Sequence, residues 1–386
     1  MVQLPEPTSE AKAHSERLCR RIRDEIEGDG GWMSFARFME LALYAPGLGY
    51  YAAGAQKFGA AGDFVTAPEM TPLFGQTLAR QIAQVTAASA PFVLEAGAGS
   101  GRLAADLLLE LGRLDALPER YVILELSGEL RQRQHETIAR AAPQALARVE
   151  WLDRLPQRYS GAIVANELLD AMPVHLVAWR EAGIFERGVT VAGEFGFAWS
   201  ERPANGALLA EAQKITEAWA LPADYESEVA LAAPRWAAEW GHILEQGAML
   251  LIDYGFPHGE FYHPQRSGGT LMCHYRHQAH TDPFYLPGLQ DITAHVDFTA
   301  IIATAHAAGL ELYGFTTQGR FLTNCGLLAC LAELSPGSPQ YLRAAGAANR
   351  LILPQEMGEL FKVMAIGRGI DCTLDGFGRG DQSHRL

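Results

Sequence analysis

Cysteine is scarce in this chain. Five occur in 386 residues, at Cys19, Cys273, Cys325, Cys330 and Cys372, an odd and scattered set. That spacing builds no disulfide framework, so the fold must rest on an apolar core, and the set fits a reducing cytoplasm. Long apolar runs are missing as well. None approaches the roughly 18 residues a membrane span requires, so no membrane insertion is expected. The opening residues, Met1-Val-Gln-Leu-Pro-Glu-Pro-Thr8, have neither a basic stretch nor an apolar one, and no secretory signal is read there. Positive charge is in deficit: 31 Lys and Arg stand against 45 Asp and Glu, a net charge of −14. Binding to nucleic acid or to an anionic membrane surface needs a basic field, which this composition lacks. An acidic surface suits a cationic substrate instead. No internal repeat is found, and nothing signals an oligomeric state.

What is present is ordinary for a globular protein, with 48% hydrophobic and 20% charged residues. The length allows one large α/β domain with elaborations, or two modest domains. Apolar runs at 92–95, 121–126, 147–152, 161–165, 248–253, 310–315 and 361–367 alternate with helical segments. That alternation predicts a seven-stranded, doubly wound and mostly parallel sheet, the last two strands forming a hairpin with a long insertion. Ala13, Leu18, Ile22 and Ile26 are spaced as on a helix, and further helices are expected from Ser34 to Leu43 and from Leu73 to Val85. Residues 1–85 therefore read as a helical N-terminal region and 86–372 as the core. Insertions are expected at 174–247 (antiparallel strands, then helix to about Glu245) and at 256–296, an irregular loop. Residues 373–386 read as a disordered tail. Cys273, His274, His277 and His280 lie within the loop, but their spacing matches no usual zinc pattern, and no metal is expected.

The chemistry concentrates after the first strand. Phe92-Val-Leu94 runs into Glu95-Ala-Gly97-Ala-Gly99-Ser-Gly101. Glycines there let the backbone approach a ligand where a side chain would collide, and the helix from Arg102 turns its N–H groups toward it. A dinucleotide or S-adenosyl-L-methionine could bind such a loop; a plain strand-to-helix turn is the bland alternative. The dinucleotide fingerprint Gly-x-Gly-x-x-Gly/Ala would need Gly or Ala at position 102, which is Arg102. Glu125 ends the next predicted strand, 28 residues beyond Gly97. A carboxylate at that strand end can accept hydrogen bonds from both ribose hydroxyls of either cofactor.

After the fourth predicted strand comes Ala165-Asn166-Glu167-Leu-Leu-Asp170-Ala-Met-Pro173-Val-His175. Further strings accompany it in order: Gly49-Tyr-Tyr51, Gly62-Asp63-Phe-Val-Thr66-Ala-Pro-Glu69, Glu125-Leu-Ser127, Asp253-Tyr-Gly255, Asp291-Ile-Thr-Ala-His-Val-Asp-Phe298 and Met357-Gly-Glu-Leu-Phe-Lys-Val363. Together they resemble the MidA family of class I methyltransferases, whose mitochondrial members are complex I assembly factors that methylate an arginine of a complex I subunit. The resemblance covers about residues 34–367. It implies S-adenosyl-L-methionine as cofactor and a protein nitrogen as acceptor, an arginine of a respiratory complex I subunit. Glu95, Gly97, Gly99, Gly101 and Glu125 would hold the cofactor, with Asp63, Thr66 and Glu69 walling the pocket. Glu167, Asp170 and Asn166 would serve the acceptor, Glu167 gripping the guanidinium. Turn and helix capping is the plain alternative for Asp63 and Glu69, and a satisfied strand-end turn for Asn166 and Glu167. The chain departs from the family at Ala67, Ala98 and Cys273-His-Tyr-Arg-His277. Two other functions stay open: an assembly chaperone that keeps the fold without turnover, and a nicotinamide-dependent dehydrogenase, disfavoured by Arg102.

Overall fold

Short apolar runs flanked by amphipathic helices leave the chain one economical way to bury both, a parallel sheet covered by helices. The computed structural model describes residues 4–52 and 66–386, and the chain divides into two compact units. The larger comprises residues 65–169, 235–255 and 298–386. Its strands are β1 (Phe92–Ala96), β2 (Arg120–Leu124), β3 (Val149–Leu152), β4 (Tyr159–Asn166), β5 (Leu244–Phe256), β6 (Glu311–Thr317) and β7 (Phe361–Arg368). They lie in the order β3-β2-β1-β4-β5-β7-β6. Strands β1 to β5 are parallel, and β7 runs antiparallel to both its neighbours. The seven predicted strands are all present, each within a few residues of its expected bounds.

The helices of this unit include α1 (Pro72–Ala88), α2 (Arg102–Arg113) and α3 (Gly128–Ala141). Phe74, Leu78 and Ile82 of α1 join Leu103, Leu107 and Leu111 of α2 in one core with Val93, Val164 and Leu250 of the sheet. Their spacing is that of one helical face, which burial against the sheet explains. The order of strands reverses between β2 and β4, on either side of β1, and open α/β sheets bind ligands in the crevice at such a point.

The second unit comprises residues 1–64, 170–234 and 256–297. Helices Ser9–Gly28 and Phe35–Tyr44 bury Leu18, Ile22, Phe35 and Phe38 in a core shared with Leu176, Val189 and Ile292. Its antiparallel sheet orders Met33–Ser34, Gly183–Ala192, His175–Arg180 and Tyr225–Val229, with Gly196–Pro203 paired to Gly183–Ala192.

Several expectations are corrected. The N-terminal helical region is not one piece: its first two helices belong to the second unit and α1 to the first. The supposed helix up to Glu245 is interrupted by the strand Tyr225–Val229. The loop at 256–296 contains a three-stranded sheet of Gln278–His280, Met272–Tyr275 and Asp291–Thr293. Strands of three or four residues are too short to show a period, so they read as loop. Cys273 is buried there, paired across the strands with His280 and Ile292.

The tail is ordered as well. Leu374 and Phe377 are buried, with the Phe377 ring 5.4 Å from that of Phe321. Gln81 Oε1 accepts from Gly376 N at 2.8 Å, and Asn324 Nδ2 donates to the carbonyls of Gly376 and Arg379, both at 2.9 Å. Composition suggested disorder because glycines and charges dominate. Its sparse apolar side chains find a core, and side chains and backbone from distant segments, Gln84 and Phe315 among them, take its polar groups.

Candidate active site

Strand register builds the site. Ala96 on β1 pairs with Leu124 on β2 and with Ala165 on β4. The next residue on each strand, Gly97, Glu125 and Asn166, therefore stands in one row at the carboxyl edge of the sheet. Gly97 N still donates to Leu124 O at 3.2 Å, Glu125 N to Leu152 O at 3.0 Å and Glu167 N to Ile252 O at 2.9 Å. Three residues separated by 28 and 41 positions in sequence are thus placed side by side by parallel pairing.

The loop between β1 and α2 turns on glycines in the left-handed region: φ is 71° at Gly97, 51° at Gly99 and 81° at Gly101. A side chain there is strained whatever space it finds. At Gly101 a Cβ would also meet Gln134 Cα of α3 at 2.8 Å. Glu95 is 2% exposed, and its Oε2 accepts from Tyr121 Oη at 2.6 Å. Burial pushes its carboxyl up to about 7, the Tyr121 hydrogen bond drawing it back. Glu69 Oε1 accepts from Ser100 Oγ of the same loop. Thr66 caps the short helix Ala67–Met70 through its backbone position, without a side-chain hydrogen bond, and its carbonyl accepts from Glu69 N at 3.0 Å. Asp63 lies outside the described residues.

Glu125 is 9% exposed and doubly held. Its Oε1 accepts from Ser127 N at 2.9 Å and its Oε2 from Gln134 Nε2 at 3.0 Å. Burial raises its pKa, opposed by these hydrogen bonds and the Arg131 charge. A carboxylate has about four lone-pair positions, more than these donors fill, so acceptor capacity remains for a further donor.

At the end of β4, Asn166 Nδ2 donates to Glu167 Oε1 at 3.2 Å, and the buried Asn166 Oδ1 has no partner among the described residues. Glu167 has φ of 50°, unusual for a residue with a side chain. Strain of this kind collects at functional sites and persists where neighbours enforce it. One neighbour is Asp253, 1% exposed on β5, whose Oδ2 accepts from Leu169 N and Oδ1 from Tyr254 N, both at 2.9 Å. Neither Asp253 nor Gln134 is assigned a site role from the sequence; the signals for Asp253 are its place at the end of a buried apolar run and the string Asp253-Tyr-Gly255 that carries the resemblance.

Asp170 falls in the second unit. It is buried, and its carbonyl accepts from Ala294 N at 3.0 Å. In the same unit Tyr51 Oη donates to Asp291 Oδ1 at 2.9 Å, and the Tyr44 and Tyr51 rings stack at 5.6 Å. Burial first, then the Asp291 charge, raise the Tyr51 hydroxyl well above its ordinary pKa, so it stays a donor.

A sheet of this order, with a glycine loop after its central strand and a carboxylate ending the adjoining one, defines a class I S-adenosylmethionine-dependent methyltransferase. The chain belongs to the family described as "Putative S-adenosyl-L-methionine-dependent methyltransferase", whose model matches residues 75–316. Along 100% of both chains it is similar to a Burkholderia thailandensis protein solved with S-adenosyl-homocysteine bound, at 51% identity and a TM-score of 0.95. A relative in Danio rerio, named "Protein arginine methyltransferase NDUFAF7, mitochondrial", is 29% identical over 87% of this chain and 83% of its own. The Drosophila melanogaster homologue of that name is 27% identical over 95% of this chain and 88% of its own. The MidA resemblance and the S-adenosylmethionine cofactor are thereby shown, and the dehydrogenase alternative falls. The cytoplasmic placement is corrected: these relatives are named mitochondrial. Free cysteines report a reducing medium and do not distinguish the compartments that provide one.

Proposed function

We propose that the protein methylates an arginine nitrogen of a protein, the acceptor being a subunit of respiratory complex I. The relatives' names support arginine, and the MidA resemblance supports complex I. The observation that carries the reading is Glu167, a carboxylate held in a strained conformation at the edge where Gly97, Glu125 and Asn166 align.

S-adenosylmethionine, when bound, supplies a methyl group on a positively charged sulfur. The residues fit that group: Gly97 and Gly99 keep Cβ atoms out of the loop, and Glu125 has lone pairs left for the ribose hydroxyls. Glu95 and Gly101 serve the seat from behind, one tied to Tyr121 and the other packed on Gln134. Glu69 holds the loop through Ser100, and the Thr66 carbonyl in turn accepts from Glu69 N. On the acceptor side, Glu167 grips the guanidinium and offsets the charge growing on its nitrogen. A guanidinium keeps its proton at neutral pH, so a carboxylate must also receive it, a part that falls to Glu167 in the same unit as the glycine loop. Asn166 Oδ1 lacks a partner among the described residues, which supports its accepting one N–H of the acceptor.

Glu125→Ala should weaken S-adenosyl-homocysteine binding by roughly 1.5–3 kcal/mol, the worth of a hydrogen bond to a charged group. Calorimetry measures it, and unchanged affinity would turn Glu125 away from the ligand. Peptide mapping of the proteome with and without this gene tests the acceptor. An arginine methylation lost with the gene, on a complex I subunit, is the expected result; no arginine mark lost would sink the reading.

A further inference from the structure

We propose that Gln134 is a positioning residue for cofactor binding, which locks the glycine loop and the Glu125 carboxylate into one seat through a hydrogen-bond relay starting at Trp151. The inference rests on the reading of Glu125 as the ribose acceptor. Gln134 lies in the second turn of α3 and is fully buried. A buried amide of this kind is unfavourable unless its hydrogen bonds are made. Here they are made to particular partners. Its Oε1 accepts from Trp151 Nε1 of β3 at 2.9 Å, while Nε2 donates to Gly99 O at 3.1 Å and to Glu125 Oε2 at 3.0 Å.

The direction of the amide follows from its partners. An indole N–H only donates, so the atom facing Trp151 must be oxygen. The nitrogen then faces a carbonyl and a carboxylate, both of which only accept. Trp151 thus fixes the orientation in which Gln134 can bridge Gly99 and Glu125. The glycine at 101 is part of the same device. A side chain there would strike the Gln134 backbone, so Gly101 lets α3 approach closely enough for the amide to span loop and strand end. With Oε1 of Glu125 held by Ser127 N and Oε2 by Gln134, the carboxylate is held against rotation from both oxygens. Its remaining lone pairs keep a fixed direction, which lowers the cost of ordering the site on binding. A core filler of equal volume, such as Met or Leu, would pack as well and do none of this.

A double-mutant cycle on the full-length protein separates positioning from packing. Calorimetry with S-adenosyl-homocysteine is the probe, and thermal melting checks that each variant is folded. Gln134→Met should weaken binding about tenfold or more, and Trp151→Phe severalfold in the same direction, because the freed amide can turn over. In a Glu125→Ala background, Gln134→Met should cost at most about threefold more, since most of its effect passes through the missing carboxylate. Equal losses in both backgrounds, or unchanged binding in Gln134→Met, would overturn the proposal. If Gln134→Met does not fold, the same cycle run with Trp151→Phe decides between positioning and packing by the same criterion. Failure of the underlying reading looks different: Glu125→Ala alone would then bind as tightly as the unaltered protein.

Discussion

Glu167→Gln should lower turnover by about 100-fold or more while S-adenosyl-homocysteine affinity stays within about twofold. The substitution keeps the size of the side chain and much of its hydrogen bonding, and removes only the charge. Glu167 holds its place through its backbone, with N donating to Ile252 O at 2.9 Å, so the end of β4 should stay put. What is lost is the attraction that strengthens as charge moves onto the acceptor nitrogen, and an interaction of that kind appears in turnover and not in cofactor binding. Methylation of the acceptor peptide found by mapping, followed by mass spectrometry, measures the rate. Full activity would remove Glu167 from the mechanism. A strain carrying the variant decides between enzyme and chaperone: loss of the mark with normal complex I assembly would make scaffolding the physiological role.

Gly99→Val should lose at least about 100-fold in cofactor affinity. Two effects add. The backbone at Gly99 has φ of 51°, a region β-branched residues resist, and the new side chain would occupy the space the ligand needs. The loop has no easy retreat, because Gly99 O is tied to Gln134 Nε2 on the side of α3. The substitution sits in a surface loop outside the apolar core, so the folded state should survive, as melting would show. A folded Gly99→Val protein that binds S-adenosyl-homocysteine normally would place the cofactor elsewhere.

Much of this was readable from local pattern. The seven strands announced themselves as apolar runs between helical segments, and Gly97, Gly99 and Glu125 as a glycine loop and an acidic strand end. Those signals are local: a buried parallel strand and a left-handed turn each impose their residue types within a few positions. The MidA strings carried the family and cofactor. The sequence suggested a loose tail at 373–386, because its apolar anchors, Leu374 and Phe377, are sparse among glycines and their pocket around Phe321 comes from elsewhere in the chain.

The sheet, the glycine turn and the residue types that end the strands are written in the chain locally, because each follows from the periodicity and φ/ψ limits of a short segment. Which side chains meet was settled by long-range packing. Parallel register set Gly97, Glu125 and Asn166 in one row, and Tyr121 took the Glu95 carboxylate. Helix packing at Gly101 brought Gln134 between loop and strand end, and Asp253 pinned the turn after Glu167. Hydrogen-bond partners 26 to 84 residues apart leave no periodic trace in the chain, since nothing but the folded backbone brings their atoms within bonding reach.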